Sequence, residues 1–442
     1  MVADMRIAEL TEKTKRDILD HLLKRSPDHY SEYETVVDEI IEQVRRKKDQ
    51  ALFEYTLVFD KFALNGDNIR VTKEEIQEAY SRLDPELVRV IRRSSENIRA
   101  FHEKQLRSSW FDAGKDGAIL GMKLTPIGRA GVYVPGGKAA YPSSVLMNVI
   151  PARVAGVEEV IMTTPPDKDG RINPGTLVAA DIAGVDTVYR VGGAQAVAAM
   201  AFGTQTVPKV DKITGPGNIF VALAKKAVYG HVGIDSIAGP SEILVLADET
   251  ANPKFVAADL LSQAEHDELA SAILITTSRE LAEAVSAQAE KFADSLSRRE
   301  IIRKSLDNYG YILVAESMQD AIDAANEIAS EHLEILTANP FEVMTKIRNA
   351  GAIFLGEYSS EPLGDYFAGP NHILPTNGTA KFFSPLNVDD FRKKTSIISY
   401  SREALEAVHE EIELFARSEG LTAHANSIKV RFDPSGEDHP AK

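Results

Sequence analysis

The sequence predicts an α/β protein, and three observations carry that prediction. From about residue 119 to about 380, short apolar runs alternate with stretches of helical period. The alternation starts afresh near residue 240, so it describes two parallel-sheet units, each covered by helices. A chain of 442 residues, 44% apolar and 26% charged, is long enough for two to four domains with proper cores.

Residues 1–118 read as a mainly helical N-terminal region, partly packed on the second unit; "ETVVDEIIEQVRRKKDQALFEYTLVFD" shows its charged, amphipathic texture. The first Rossmann-like unit spans 119–238. There "AGVYVPGG", "EEVIMTTPP", "DTVYRVGG" and "DKITGPGN" read as strands with their turns, and "SSVLMNVIPARVAGV", "AQAVAAMAFG" and "IFVALAKKAVYG" as helices. The second spans 239–380, with strands in "SEILVLAD", "SAILITTS", "GYILVAES", "LEILTA" and "GAIFLG". Asn252 and Pro253 cap and open a helix over 253–266 whose apolar stripe is Val256, Leu260 and Ala264. Residues 381–442, with a helix at 402–419 followed by "GLTAHANSIKVRF", form a tail too small to fold alone. It is expected to pack elsewhere on the protein or on another subunit.

The net charge of −16 argues against a nucleic-acid or anionic-membrane partner, which would need a basic face. No apolar run approaches a membrane span, and the N-terminus lacks an apolar signal core. There is no cysteine, which excludes disulfides, thiolate metal sites and a cysteine nucleophile. The expected location is the cytoplasm.

Four stretches could carry chemistry. In "SQAEHD", Gln263 and His266 are three apart on one helix face, beside the apolar stripe. On spacing alone, a packed amide beside a dipole-favoured histidine is the stronger explanation. In "SEHLEI", Glu331 and His332 read as the end of a helix beginning near Gln319, an acid set against the dipole and a plausible acid–base couple. An ordinary solvated terminus remains the alternative. "GDYFAGPNHILP" offers Asp365 and His372 in a glycine- and proline-punctuated loop. In "SEGLTAH", Gly420 reads as a C′ cap, with Glu419 before it and His424 after. Together the four shift the balance toward a metal or acid–base site. "TGPGNIF" lacks the third glycine of the dinucleotide fingerprint, since Phe220 stands there, although a glycine turn before a helix can still receive phosphate.

With these residues in view, the sequence resembles the histidinol dehydrogenase family from about residue 30 to 432. The motifs are "GVYVPGG", "VGGAQA", "GPGN", "GPSEI", "SQAEHD", "SEHLEI", "GDYFAGPNHILPT" and "EGLTAH", in family order. The resemblance implies a zinc-dependent homodimer with shared active sites that oxidises L-histidinol to L-histidine in two steps with two NAD. By position, zinc ligands would be Gln263, His266, Asp365 and His424, and the acid–base pair Glu331 and His332. Substrate contacts would be Ser241, Gln263, His266, His332, Asp365, His372, Glu419 and His424. Cofactor contacts would be Tyr133, Gln195 and Asn218. The tail would reach the neighbouring subunit, so Glu419 and His424 complete the partner's site.

Without cysteine, the aldehyde intermediate cannot be held as a thiohemiacetal. Hydration is the remaining route, with His332 expected to take the hydroxyl proton in both oxidations and Glu331 to activate water between them. A metal held by two nitrogens and two oxygens can add ligands, which suits a substrate anchor. A related dehydrogenase acting on another primary alcohol, a zinc hydrolase without NAD, and a non-catalytic scaffold are the competing readings.

Overall fold

The computed structural model describes residues 5–23, 25, 31–114, 117–136, 141–237 and 239–433. The last glycine of "GVYVPGG" and the end of the 381–442 tail lie outside the described residues. In chain order the strands are β1 (Arg6–Glu9), β2 (Trp110–Ala113), β3 (Ile119–Pro126), β4 (Arg129–Tyr133), β5 (Glu159–Thr163), β6 (Thr187–Tyr189) and β7 (Lys212–Thr214). They continue with β8 (Gly233–Ile234), β9 (Glu242–Ala247), β10 (Ser271–Thr276), β11 (Gly310–Val314), β12 (His332–Leu336), β13 (Ala352–Leu355) and β14 (Arg392–Ser399).

Two sheets are wholly parallel. One has the order β6-β5-β4-β7-β8, the other β1-β11-β10-β9-β12-β13. Every residue of β9, β10, β11 and β12 is buried, which explains their unbroken apolar runs: helices cover both faces, so no alternation is needed. The fold class is therefore α/β, as the strand–helix alternation requires. Both sheets belong to one compact unit made of the residues up to Leu106 together with Ile127–Phe391.

The N-terminal region is less uniformly helical than its composition suggests. β1 adds a parallel edge strand to the six-stranded sheet, Arg6 opposite Tyr311, because β11 offers an unpaired edge that the sequence of β1 does not reveal. Helix Glu12–Leu23 packs on that sheet through Ile18 and Leu22. Helices Ser31–Lys47, Asp49–Phe59, Lys73–Arg82 and Pro85–Glu103 pack instead against the helices of the five-stranded sheet.

A second compact unit comprises Arg107–Pro126 and the residues from Arg392 onward. Its three-stranded antiparallel sheet has the order β14-β3-β2, with Arg392 opposite Pro126 and Trp110 opposite Met122. The reading that opened the first α/β unit at residue 119 thus began on a strand of this other sheet; parallel β4 opens the five-stranded one. Helices Arg402–Glu406, His409–Ser418 and Thr422–Lys429 complete the unit, so the expected helix over 402–419 is two. No helix among the described residues is long and apolar enough to cross a membrane.

Candidate active site

A cavity of about 1230 Å³ is lined by segments following the five-stranded sheet and by segments preceding strands of the six-stranded one. In the first sheet β4 and β7 are neighbours, where the strand order reverses, and the lining comes from carboxyl ends: Tyr133, Gly193, Gln195 and the Gly215–Asn218 turn. That is the usual ligand crevice of an open parallel sheet. In the second sheet the polar residues stand at the opposite edge. Ser241 precedes β9, Glu331 precedes and His332 opens β12, and Gln263 lies in, and His266 just after, the last turn of the helix leading to β10.

The helix Pro253–Ala264 forms as its sequence requires. The Asn252 side chain accepts from Lys254 N–H, Pro253 occupies the first turn, and Val256, Leu260 and Leu261 are buried. Gln263 lies on the same face as Val256 and Leu260 and is fully buried, yet neither its amide nitrogen nor its amide oxygen has a hydrogen-bond partner. Such a group costs about 1–3 kcal/mol unless something else satisfies it. His266 stands at the open mouth of the cavity. Atoms crowded around its ring lower its pKa, while the Asp365 charge works upward.

Asp365 lies in a π-helical turn, Gly364–Ala368, where the sequence suggested only a loop. Such turns recur at functional sites. Gly364 is required there, because a Cβ would stand 2.6 Å from the Phe354 ring. One turn earlier is Glu361, buried and missed by the sequence analysis; an acid four residues before Asp365 was the available signal. The ligand atoms of His266, Glu361 and Asp365 all lie within 4.8 Å of one another. Burial works upward on Asp365, but the His372 and His332 imidazoles hold its carboxyl down at about 2. Burial, then the Asp365 charge, push Glu361 up to about 8. Behind them Glu334 is fully buried, accepts from Glu361 N–H at 2.7 Å and shares a hydrogen bond with Asp259.

Glu331 and His332 do not end a helix. The preceding helix stops at Ile328, Ala329 takes the left-handed conformation at φ 54°, and His332 begins β12. The helix end went unrecognised because that conformation usually falls to glycine or asparagine. Both side chains grip the backbone of one residue of β9, Glu242. Glu331 Oε2 accepts from Glu242 N–H at 2.9 Å, and His332 Nδ1 lies 2.9 Å from the Glu242 carbonyl oxygen. Because that oxygen only accepts, Nδ1 carries a proton, and Nε2 is the nitrogen without a hydrogen-bond partner, 3.8 Å from Asp365. Burial pulls the imidazole toward neutrality, but Glu331 and Asp365 outweigh it and raise its pKa to about 10. Burial pushes the Glu331 carboxyl up to about 7. Arg25 supports the assembly, with Nη2 2.5 Å from Glu242 Oε1 in an enclosed ion pair.

His372 Nδ1 lies 3.1 Å from the Asp365 carbonyl oxygen and Nε2 is 3.5 Å from Ser144 Oγ; burial first lowers its pKa. The cavity thus brings together Ser241, Gln263, His266, Glu331, His332, Asp365 and His372. Glu419 and His424 are carried by the second unit. Glu419 closes helix His409–Ser418, followed by Gly420 at φ 76° as its cap requires, and His424 lies in helix Thr422–Lys429; both are exposed.

On the other sheet, Tyr133 ends β4 and its hydroxyl oxygen accepts from Gly193 N–H at 3.2 Å. Gln195 is buried, its amide oxygen without a partner. Asn218 caps helix Ile219–Val228 by accepting from Val221 N–H, so its side chain is already engaged. Gly215, at φ 119°, admits no side chain, since a Cβ would meet the Tyr133 carbonyl oxygen at 2.0 Å. Buried Lys225 donates to the Gly215 carbonyl at 3.0 Å and pairs with Asp235, which accepts from Gly215 N–H at 2.8 Å.

Comparison with known proteins adds an independent line. The histidinol dehydrogenase family model matches residues 23–432. The chain is 60% identical over 410 residues to a histidinol dehydrogenase of Bacillus subtilis, covering 92% of this chain and 96% of the relative. It is 58% identical over 393 residues to that of Clostridium acetobutylicum, covering 89% and 91%. A crystal structure of histidinol dehydrogenase from Elizabethkingia anophelis superposes with a TM-score of 0.92 at 37% identity, covering 98% of each chain.

Proposed function

The chain belongs to the histidinol dehydrogenase family, and on that premise we propose that it oxidises L-histidinol to L-histidine through the aldehyde, consuming two NAD, in the last steps of histidine biosynthesis in the cytoplasm. The observation that carries the reading is the convergence of Gln263, His266 and Asp365 on the same cavity as the Glu331–His332 pair. The donor set fits a divalent cation. Gln263 has two buried, unbonded amide atoms, and the neighbouring carboxylates and imidazole are close enough to share one ion. Zinc would be held by Gln263, His266 and Asp365 of one subunit and His424 of its partner in a homodimer. Bound there, it supplies a Lewis-acidic anchor for the amino alcohol. Exposure of Glu419 and His424 on a small separate unit is consistent with that exchange.

The chain's own groups account for the proton traffic. His332 lines the cavity, and in the metal-free protein the neighbouring carboxylates keep its ring protonated; a cation held by Asp365 would offset that charge and free Nε2 to remove the hydroxyl proton in each oxidation. The Glu242 carbonyl fixes the ring by holding Nδ1–H. Glu331, with a pKa of about 7, accepts a proton from water as the aldehyde is hydrated. Ser241, His372 and the partner's Glu419 orient the substrate. NAD, the hydride acceptor, fits the opposite wall, where Tyr133, Gln195 and the Gly215–Asn218 turn line the cavity at strand carboxyl ends.

The deciding experiment adds L-histidinol and NAD to zinc-loaded protein and follows reduced nicotinamide. Two NADH per histidine formed are expected. Histidinol turnover without NADH, or no turnover at all, would sink the reading.

A further inference from the structure

We propose that Asp60 receives the ribose hydroxyls of the adenosine half of the dinucleotide and thereby makes the enzyme select NAD over NADP. The proposal rests on the dinucleotide use put forward above. Asp60 closes helix Asp49–Phe59, its N–H donating to the Thr56 carbonyl, so the acid stands at the negative end of a helix dipole. Local rules broken in this way are expected at functional positions. Its side chain lines the cavity, and one carboxylate oxygen is buried without any hydrogen-bond donor.

The surroundings point to a nucleoside. Tyr33, Val36, Phe59 and Phe220 line the same cavity, with Tyr33 edge-on to Phe220 at a ring separation of 5.2 Å. Phe59 is 52% exposed and Val36 45%, an apolar surface facing open space and suited to a flat base. Asp60 and Tyr133 line the same cavity, and burial chiefly, with the Asp60 charge adding to it, pushes the Tyr133 hydroxyl up to about 12. Tyr133 in turn receives Gly193 N–H, two residues before Gln195 and its unpaired amide oxygen. Two acceptors without donors, beside an aromatic and aliphatic slot, call for a ligand that brings hydroxyl groups and a base. Adenosine has both. A 2′-phosphate would set its charge against the carboxylate and remove one of the donors. Burial without a donor also explains why the Asp60 carboxyl is pushed up to about 6.

The test uses the zinc-loaded full-length enzyme and compares NAD, 2′-deoxy-NAD and NADP in wild type, Asp60→Asn and Asp60→Glu, reading the Kd of each dinucleotide by calorimetric titration without histidinol and the KM with it. In wild type, 2′-deoxy-NAD should show a KM roughly 10–100 times that of NAD, the loss of a hydrogen bond to a charged group. Asp60→Asn should raise the KM for NAD by a similar factor, leave kcat within about twofold, and no longer distinguish NAD from its 2′-deoxy analogue. Its preference for NAD over NADP should fall at least about tenfold. Asp60→Glu retains the charge and should still exclude NADP while binding NAD less well. If Asp60→Asn discriminates NAD from both analogues as wild type does, the assignment is overturned. If the wild-type enzyme reduces no nicotinamide with histidinol, the dinucleotide reading itself fails, and that result is read before any variant is made.

Discussion

Replacing Gln263 by methionine should make the metal-free protein more stable and the zinc-loaded protein less so. Gln263 is fully buried, and its amide nitrogen and oxygen are both unbonded. Methionine matches its volume without polar atoms, so the substitution removes an unsatisfied group and leaves no cavity. The relief is about 1–3 kcal/mol. For 442 residues at ~2.1 cal/mol/K each, the unfolding entropy is about 0.9 kcal/mol/K, so Tm should rise by about 1–3 °C in the chelated protein. With zinc at about a hundred times its Kd, wild type gains about 2.7 kcal/mol, or roughly 3 °C. The variant, one ligand short, should lose most of that gain, and the order of the two melting temperatures reverses. Scanning calorimetry on chelated and zinc-restored samples reads both. A variant that melts lower in the chelated state, or that gains as much from zinc as wild type, would refute the ligand role of the amide.

Glu331→Gln keeps an oxygen for Glu242 N–H but has no base. Oxidation of L-histidinal should therefore fall about 10²–10³-fold and that of L-histidinol by less than about tenfold, assayed with each substrate separately; equal losses would count against the assignment. Because Glu331 is pushed up to about 7, its basic form is populated only above that value, so wild-type aldehyde oxidation should rise with pH through about 7 and the variant should lack that limb. Glu331 and Glu361 have folded values of about 7 and about 8 against 4.5 for the free group. Their contribution to metal-free stability is thus complete below about 4.5 and lost as pH rises through 7 to 8. A cation bound beside Glu361 favours its ionised form, so binding at pH 7 should release about one proton per chain; a heat of binding independent of the buffer's ionisation enthalpy would contradict this. Finally, co-expressed His332→Ala and His424→Ala chains should recover activity in hybrid dimers, about a quarter of wild type, since one site in each hybrid is intact. No recovery would place His424 in its own chain's site.

Much of the fold was legible because burial on both faces leaves a strong imprint. The runs "EILVLA", "SAILIT" and "GYILV" are completely buried strands, and the Asn252–Pro253 cap and the left-handed Gly420 form as their chemistry requires. The misreadings share a cause. β1 is four residues that become a strand only because β11 offers an edge. β3 reads like the first strand of a parallel sheet, but its antiparallel partners β2 and β14, the latter some 270 residues away, assign it elsewhere. Glu331 looked like a helix terminus because nothing in "IASEHL" marks Ala329 as left-handed. Glu361 escaped notice because its importance lies in proximity to His266, almost a hundred residues earlier.

The sequence by itself determined which side chains are available: an amide, imidazoles and carboxylates at fixed spacings, no thiol, and two sets of strands for parallel sheets. Tertiary structure alone decided what those groups can do. It set the carboxyl ends of one sheet and the amino-terminal edge of the other around a single cavity. It stripped Gln263 of partners, raised Glu331 to about 7, and turned His332 so that Nε2 is the nitrogen left without a hydrogen-bond partner. The division has a physical reason. Propensity and capping act over a few neighbouring residues, whereas desolvation and charge–charge interaction depend on every atom nearby in space, however distant in the chain.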